Sequence, residues 1–195
     1  MVDGHGERMS VRQLTIAGLD PVHDARVAAD AARWVAGDNV VTDPEIAVAA
    51  DAAIVDIHVV AVRGAVPQRH TRVTLVAGQG VVGEHRAGTG NPRRKQVTLV
   101  EEEAVARAIT AVDGAFTAAD TRRNLLTRGV ALNHLVGREF RVGEAVLRGI
   151  ELCEPCARLA RFTSRTFELA LVHRGGLRAE IVSGGDVVVG APVRL

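Results

Sequence analysis

A chain of 195 residues suits one domain, or one domain with a small extension, and 47% hydrophobic against 24% charged residues is a globular rather than a disordered composition. Four Phe, one Trp and no Tyr oblige an aliphatic core of Val, Ala and Leu. Two cysteines exclude a disulfide framework, and no apolar run reaches the length that spans a bilayer.

The N-terminal ten residues are polar and mixed in charge, without the apolar core of a secretory signal, so a cytoplasmic protein is expected. Residues 11–17 are β-rich. Asp20-Pro21 opens a helix, with Val27, Ala31, Trp34 and Val35 on one face and Gly37 as its stop. Asp43-Pro44 marks a turn and residues 46–50 a short strand. Residues 1–50 thus read as a small strand-helix-strand extension of unknown role, ahead of a domain over residues 51–195.

Charge is asymmetric. Residues 1–56 hold four Arg against ten acids, whereas residues 57–100 hold six Arg and Lys95 against Glu84 alone. The basic stretch suits an anionic ligand or partner, or pairs with the acidic segment before it.

Residues 52–62 read as a Val/Ile-rich strand, broken by Arg63-Gly64 and Pro67-Gln68. Residues 72–77 form the next strand, ended by Gly78 and Gly80, and residues 83–94 a loop. After a strand at 96–100, Glu101, Glu102 and Glu103 open a helix at the positive end of its dipole, with Val105, Ala108, Ile109 and Val112 as its buried stripe. Residues 138–142 and 145–152 form a hairpin around Gly143, residues 167–172 a helix or a strand, and residues 178–183 and 187–189 a closing hairpin around Gly184-Gly185. Many short strands, a few helices and Gly-rich turns predict a mainly β (α+β) fold, a small β-barrel with attached helices.

The stretch RNLLTRGVALNHLVGREFRVGEAVLRGIELCEPCARLAR begins at Arg123. Its Arg123-Asn124-Leu125, Thr127, Gly129, Gly137, Phe140, Gly143 and Pro155-Cys156 resemble the core of MOSC domains, named for the C-terminal part of molybdenum cofactor sulfurases. Residues 80–87 resemble the family's Gly-x-x-Gly-Asp-Arg-His segment, residues 96–99 its Gln-Val-Thr-Leu strand, and residues 173–176 its His-x-Gly-Gly turn. One departure stands out. Glu84-His85-Arg86 replaces Asp-Arg-His, so imidazole and guanidinium exchange places, and on a strand a one-residue shift sends a side chain to the opposite face.

The resemblance implies a MOSC-type β-barrel and a molybdenum–pterin cofactor. Cys156 would be the molybdenum ligand and catalytic residue, since a thiolate suits the soft metal end. Arg123, Asn124, Arg86, His85, Thr127 and His173 would bind the cofactor, with Arg122, Arg93 and Arg94 in the same pool of cations for its phosphate and polar pterin edge. The family's stand-alone bacterial members, like the related mitochondrial amidoxime-reducing component, reduce N-hydroxylated compounds. That implies a molybdenum-dependent oxidoreductase acting on a small molecule and fed by an electron-donor protein. The alternatives are a sulfur carrier, holding a persulfide on Cys156 and served by a sulfur-donor protein, and a non-catalytic binding module. Neither nucleic acid nor membrane is expected as a partner, and pyridoxal phosphate is not expected, because the domain that carries it in full-length sulfurases does not fit in this length.

Each site residue also has a bland reading. Cys156 can be a buried inert thiol, and Cys153 a structural or secondary one. Asn124 can bond backbone at a turn, His173 can be a turn histidine, and Arg122 and Arg123 can simply cover the barrel surface. Cys-Glu-Pro-Cys has the thioredoxin spacing, but it follows a predicted hairpin late in the chain rather than opening a doubly wound unit.

Overall fold

The computed structural model describes residues 48–88 and 96–195. The expectations for residues 1–47, and those for Arg93 and Arg94, lie outside the described residues. Eleven strands and three short helices make up the described part. They are β1 (Val48–Val59), β2 (Gln68–His70), β3 (Arg72–Val76), β4 (Gly80–Val81), β5 (Val97–Glu101), α1 (Glu102–Thr110), β6 (Leu125–Val130), β7 (Glu139–Val142), β8 (Ala145–Leu152), α2 (Ala157–Ala160), α3 (Arg165–Ala170), β9 (Leu177–Ser183), β10 (Gly185–Val188) and β11 (Val193–Arg194). Two 3-10 turns, Ala118–Thr121 and Leu132–Leu135, flank β6. No helix among the described residues is long and apolar enough to cross a membrane.

Eight strands form one sheet in the order β11-β7-β8-β9-β5-β6-β1-β2, antiparallel except for β5 beside β6. The parallel pair follows from α1, which carries the chain across between the two strands. The mainly β class with attached helices is as the sequence reads. The barrel is not closed by a ladder, however. The sheet curls until β1 meets the segment before β11, joined by Ile54 N to Ala191 O (2.9 Å), Gly190 N to Ile54 O (2.7 Å) and an isolated bridge between Ala53 and Pro192. Inside the curl lies an aliphatic core, with Ile54, Ile57, Leu99, Leu125, Leu147 and Leu177 fully buried.

A second sheet, β10-β3-β4, corrects the expected closing hairpin. β9 pairs with β8 and β5, whereas β10 leaves for β3. Gly184 and Gly185 are there for close approach rather than for a hairpin turn. A Cβ at Gly184 would lie 2.6 Å from Leu75 O, and one at Gly185 2.8 Å from the Glu144 Cβ. The separate strand expected at 46–50 also falls away in its described part, since residues 48–50 run on into β1. The ambiguous stretch 167–172 falls largely in α3, capped by the Ser164 hydroxyl accepting from Phe167 N at 3.1 Å.

The three acids at α1 do more than meet the helix dipole. Glu101 accepts from Leu132 N (2.8 Å), Glu102 takes Arg128 Nε (2.6 Å), and Glu103 accepts from Gly129 N (2.8 Å). They tie α1 to β6 and to the turn after it. Beneath the helices, Phe116 stacks on Phe167 at 4.6 Å, with Ala108, Leu159 and Leu171 around them.

His58, 5% exposed on β1, has its Nε2 3.5 Å from Asp56. Burial lowers its imidazole below the usual 6.5, against the opposing pull of Asp56. The unfolded chain therefore takes up a proton first as pH falls. The stability due to this group is present above 6.5 and is lost as pH falls through the lower folded value. Urea denaturation at about pH 7.5 and about pH 5.5 should show less stability at the lower pH, and His58→Gln should remove part of that difference. Equal pH dependence in parent and variant would refute this.

Candidate functional site

Several strand ends meet at one edge of the large sheet. Val60 leaves β1, Asn124 enters β6, Cys153 leaves β8, and Arg178 lies at the start of β9. Around them opens a cavity of about 210 Å³ that also takes in the Glu84–Arg86 turn, both thiols and Arg158.

One wall is a hydrogen-bonded knot. Glu84 Oε2 accepts from Val60 N (2.9 Å) and from Asn124 Nδ2 (3.1 Å), while Asn124 Oδ1 accepts from Thr98 N (3.1 Å) and the Thr98 hydroxyl (2.8 Å). Asn124 Nδ2 also donates to His58 O at 3.3 Å. Both ends of the Asn124 amide are engaged, so the residue fixes the register of three segments at the cavity wall. Glu84 Oε1 lies 2.6 Å from His85 Nδ1, and the Val60 carbonyl lies 3.1 Å from the same nitrogen. His85 Nε2 is buried and has no hydrogen-bond partner among the described residues.

The opposite wall hangs on Arg123. Its guanidinium donates to Gly175 O (2.8 Å), Thr121 O (3.1 Å) and Cys153 O (2.8 Å). Burial lowers its pKa below the ordinary arginine value, with the Cys153 sulfur acting in the opposite direction. The His-Arg-Gly-Gly turn comes this close because it carries glycine. A Cβ on Gly175 would stand 2.4 Å from Cys153 O, and one on Gly176, at φ +101°, would stand 1.9 Å from Leu99 O. Cys153 is 2% exposed, and its N–H donates to Gly176 O at 2.7 Å. Three residues on, past Pro155, Cys156 is exposed at the start of α2.

The cavity is rich in positive charge. Five arginines, at positions 86, 122, 123, 158 and 178, line it against two carboxylates, Glu84 and Glu154. Arg178 donates to Glu151 at 2.6 Å. Arg122, in a left-handed backbone conformation at φ 59°, donates to Ala65 O (2.9 Å) and lies 4.2 Å above the Phe162 ring. Burial, and after it the like charge of Arg158, lower the Arg122 pKa. Arg158 makes no hydrogen bond or ion pair within the described residues. Two guanidiniums that repel each other in a partly desolvated cavity are relieved by a bound anion.

Of the residues singled out in the sequence, Cys156, Arg123, Asn124, Arg86 and His85 all line this cavity, as does Arg122. Thr127 does not. It is fully buried on β6, and its hydroxyl donates to Val100 O at 3.2 Å. His173 also lies outside the lining, its side chain 82% exposed. Its ring nitrogen is 3.2 Å from Glu154, and its backbone, at φ 61°, is the turn itself. For both, a structural role is the one their contacts describe. Sequence reasoning missed Arg158 and Arg178. Arg158 stands two residues after Cys156 on a four-residue helix, and that proximity was the available signal.

Among the described residues, no three His, Cys, Asp or Glu side chains gather closely enough to hold a metal ion. One accessible thiol beside excess guanidinium charge suits a ligand with a soft centre and an anionic end.

A family model described as the MOSC domain matches residues 70–194. Among solved structures, the YuaD protein from Bacillus subtilis aligns at TM-score 0.64 and 14% identity, covering 73% of this chain and 93% of that one. YiiM from Geobacillus stearothermophilus aligns at TM-score 0.58 and 16% identity, covering 74% of each chain. YiiM from Escherichia coli aligns at TM-score 0.54 and 20% identity, covering 74% and 68%. At such identities these likenesses concern the fold alone. A search of curated proteins finds no match. With the family model spanning most of the described chain, this protein belongs to the MOSC domain family, which is associated with binding of the molybdenum cofactor.

Proposed function

We propose that this chain binds a molybdenum–pterin cofactor in the cavity, with Cys156 as the protein's ligand to the metal, and that it reduces N-hydroxylated compounds. The observation that carries this reading is the pairing of one exposed thiol with five guanidiniums on a single cavity. The lack of a three-ligand cluster among the described residues fits a metal that brings its own sulfur ligands. When bound, the cofactor supplies a redox centre that passes two electrons to the substrate. The protein does the rest. Arg86, Arg122 and Arg158 hold the phosphate and the polar pterin edge, Arg123 fixes the Cys153–Cys156 segment, and the Glu84–Asn124 knot keeps the facing wall rigid. Electrons come from a donor protein in the cytoplasm.

The test is elemental analysis for molybdenum on protein made in a host that synthesises the cofactor, comparing the parent with Cys156→Ser. Metal in the parent and its loss in the variant is the expected result. Equal metal in both would refute the ligand assignment, and none in either would refute the cofactor reading. The sulfur carrier is the second reading, favoured by the presence of Cys153 in the same cavity, and persulfide labelling of Cys156 tests it.

A further inference from the structure

The Glu84-His85-Arg86 turn leaves an unspent group. Both neighbours of His85 Nδ1 are acceptors: Glu84 Oε1 at 2.6 Å and Val60 O at 3.1 Å. Nδ1 must therefore carry a proton, which leaves Nε2 of the neutral ring a bare lone pair. That atom is buried on a residue lining the cavity and has no partner among the described residues. A buried acceptor left unpaired is costly, and such a group calls for an explanation. Nothing else in the site uses it. Glu84 is itself held by Val60 N and Asn124 Nδ2, so the imidazole is oriented by a carboxylate that cannot swing away.

We propose that Glu84 and His85 form the acid–base pair of this cavity. Neutral His85 accepts a hydrogen bond at Nε2 from an N–OH or N–H group of the bound substrate, and protonated His85 gives a proton to the departing oxygen. The proton-transfer half rests on the reductase reading; the acceptor half rests on the unpartnered Nε2 of a cavity-lining residue. In the overall step, R–NHOH takes two electrons from the donor protein and two protons, and becomes R–NH2 and water. The N–O bond breaks, His85 protonates the leaving oxygen, and solvent protonates the nitrogen. Glu84, 2.6 Å from Nδ1, keeps the ring oriented for that transfer, as carboxylates do for catalytic histidines. The other titratable groups around the cavity are Glu154 and the two thiols, and the fixed cations are the five arginines already placed.

Two measurements test the proposal. The first is nitrogen NMR of the histidine rings on metal-free protein, with His85→Gln to assign the signal. The expected result is the Nδ1–H tautomer in the parent. In Glu84→Gln, the side-chain oxygen stays on Val60 and Asn124 and the amide nitrogen faces Nδ1, so the Nδ1–H population should fall in favour of Nε2–H, with Val60 O the one acceptor left at Nδ1. An Nε2–H parent, or a tautomer indifferent to Glu84→Gln, overturns the pair. The second is turnover of phenylhydroxylamine to aniline by cofactor-loaded protein. His85→Gln should lower kcat by about 100-fold, with molybdenum content unchanged. An unchanged kcat, or loss of the metal, overturns proton delivery. If the loaded parent reduces no N-hydroxylated compound, the reductase reading fails and takes proton delivery with it, and the tautomer alone then decides the acceptor role.

Discussion

Arg123→Met is expected to lower stability by about 3 kcal/mol and to expose Cys153 to alkylation. Three backbone carbonyls, of Thr121, Cys153 and Gly175, lose a charge-assisted donor at once, and methionine offers none. Each such bond contributes roughly 1.5–3 kcal/mol net. Relief from desolvating the guanidinium works in the opposite direction, since burial is the leading cause of its lowered pKa. The sum favours the parent because the carbonyls stay within the fold with nothing to replace the lost donors. Arg123→Lys should recover only part, because an ammonium cannot span three acceptors held by a planar fork. A urea midpoint and a Cys153 labelling rate equal to the parent's would show that Arg123 holds nothing in place.

Gly176→Ala should be the more damaging change, costing at least about 4 kcal/mol and therefore a large share of a typical domain's stability. The added Cβ would fall 1.9 Å from Leu99 O, and φ +101° strains any L side chain. Neither partner can yield cheaply. Leu99 is fully buried on β5 and lies in register with Leu177, the first residue after the turn. The expected outcome is poor soluble yield, with the remainder unfolding at a much lower urea concentration. A variant with the parent's midpoint would mean that the turn is not bound by this contact.

Local pattern made much of the fold readable. The hairpin around Gly143, the helix after the three acids and the strand beginning near Gln96 each rest on periodicity or turn chemistry within ten residues. Choice of partner was not readable. Gly184-Gly185 looks like a hairpin turn, yet its glycines admit Leu75 and Glu144 from distant segments. Arg123 showed its place in a motif but not its task, because its carbonyl partners on Cys153 and Gly175 lie 30 and 52 residues away. Thr127 sat in the same motif and serves the core, since alternation along β6 turns it away from the cavity. The exchange of His85 and Arg86 was visible as a departure, but the Glu84 contact that gives it meaning needed the folded turn.

The seam between β1 and the segment before β11 bears on how the chain reaches this state. Ile54 bonds to Ala191 and Gly190, partners more than 130 positions apart. Closure of the curl must await Gly190 and Ala191, which follow Ile54 by more than 130 positions. Contacts this distant in sequence slow folding, because their loop entropy is lost before the pairing offsets it. Until then β7 and the part of β1 around Ile54, ahead of its pairing with β2, each present an unpaired edge, which makes a chain lacking β11 and the segment before it the form most exposed to edge-to-edge association.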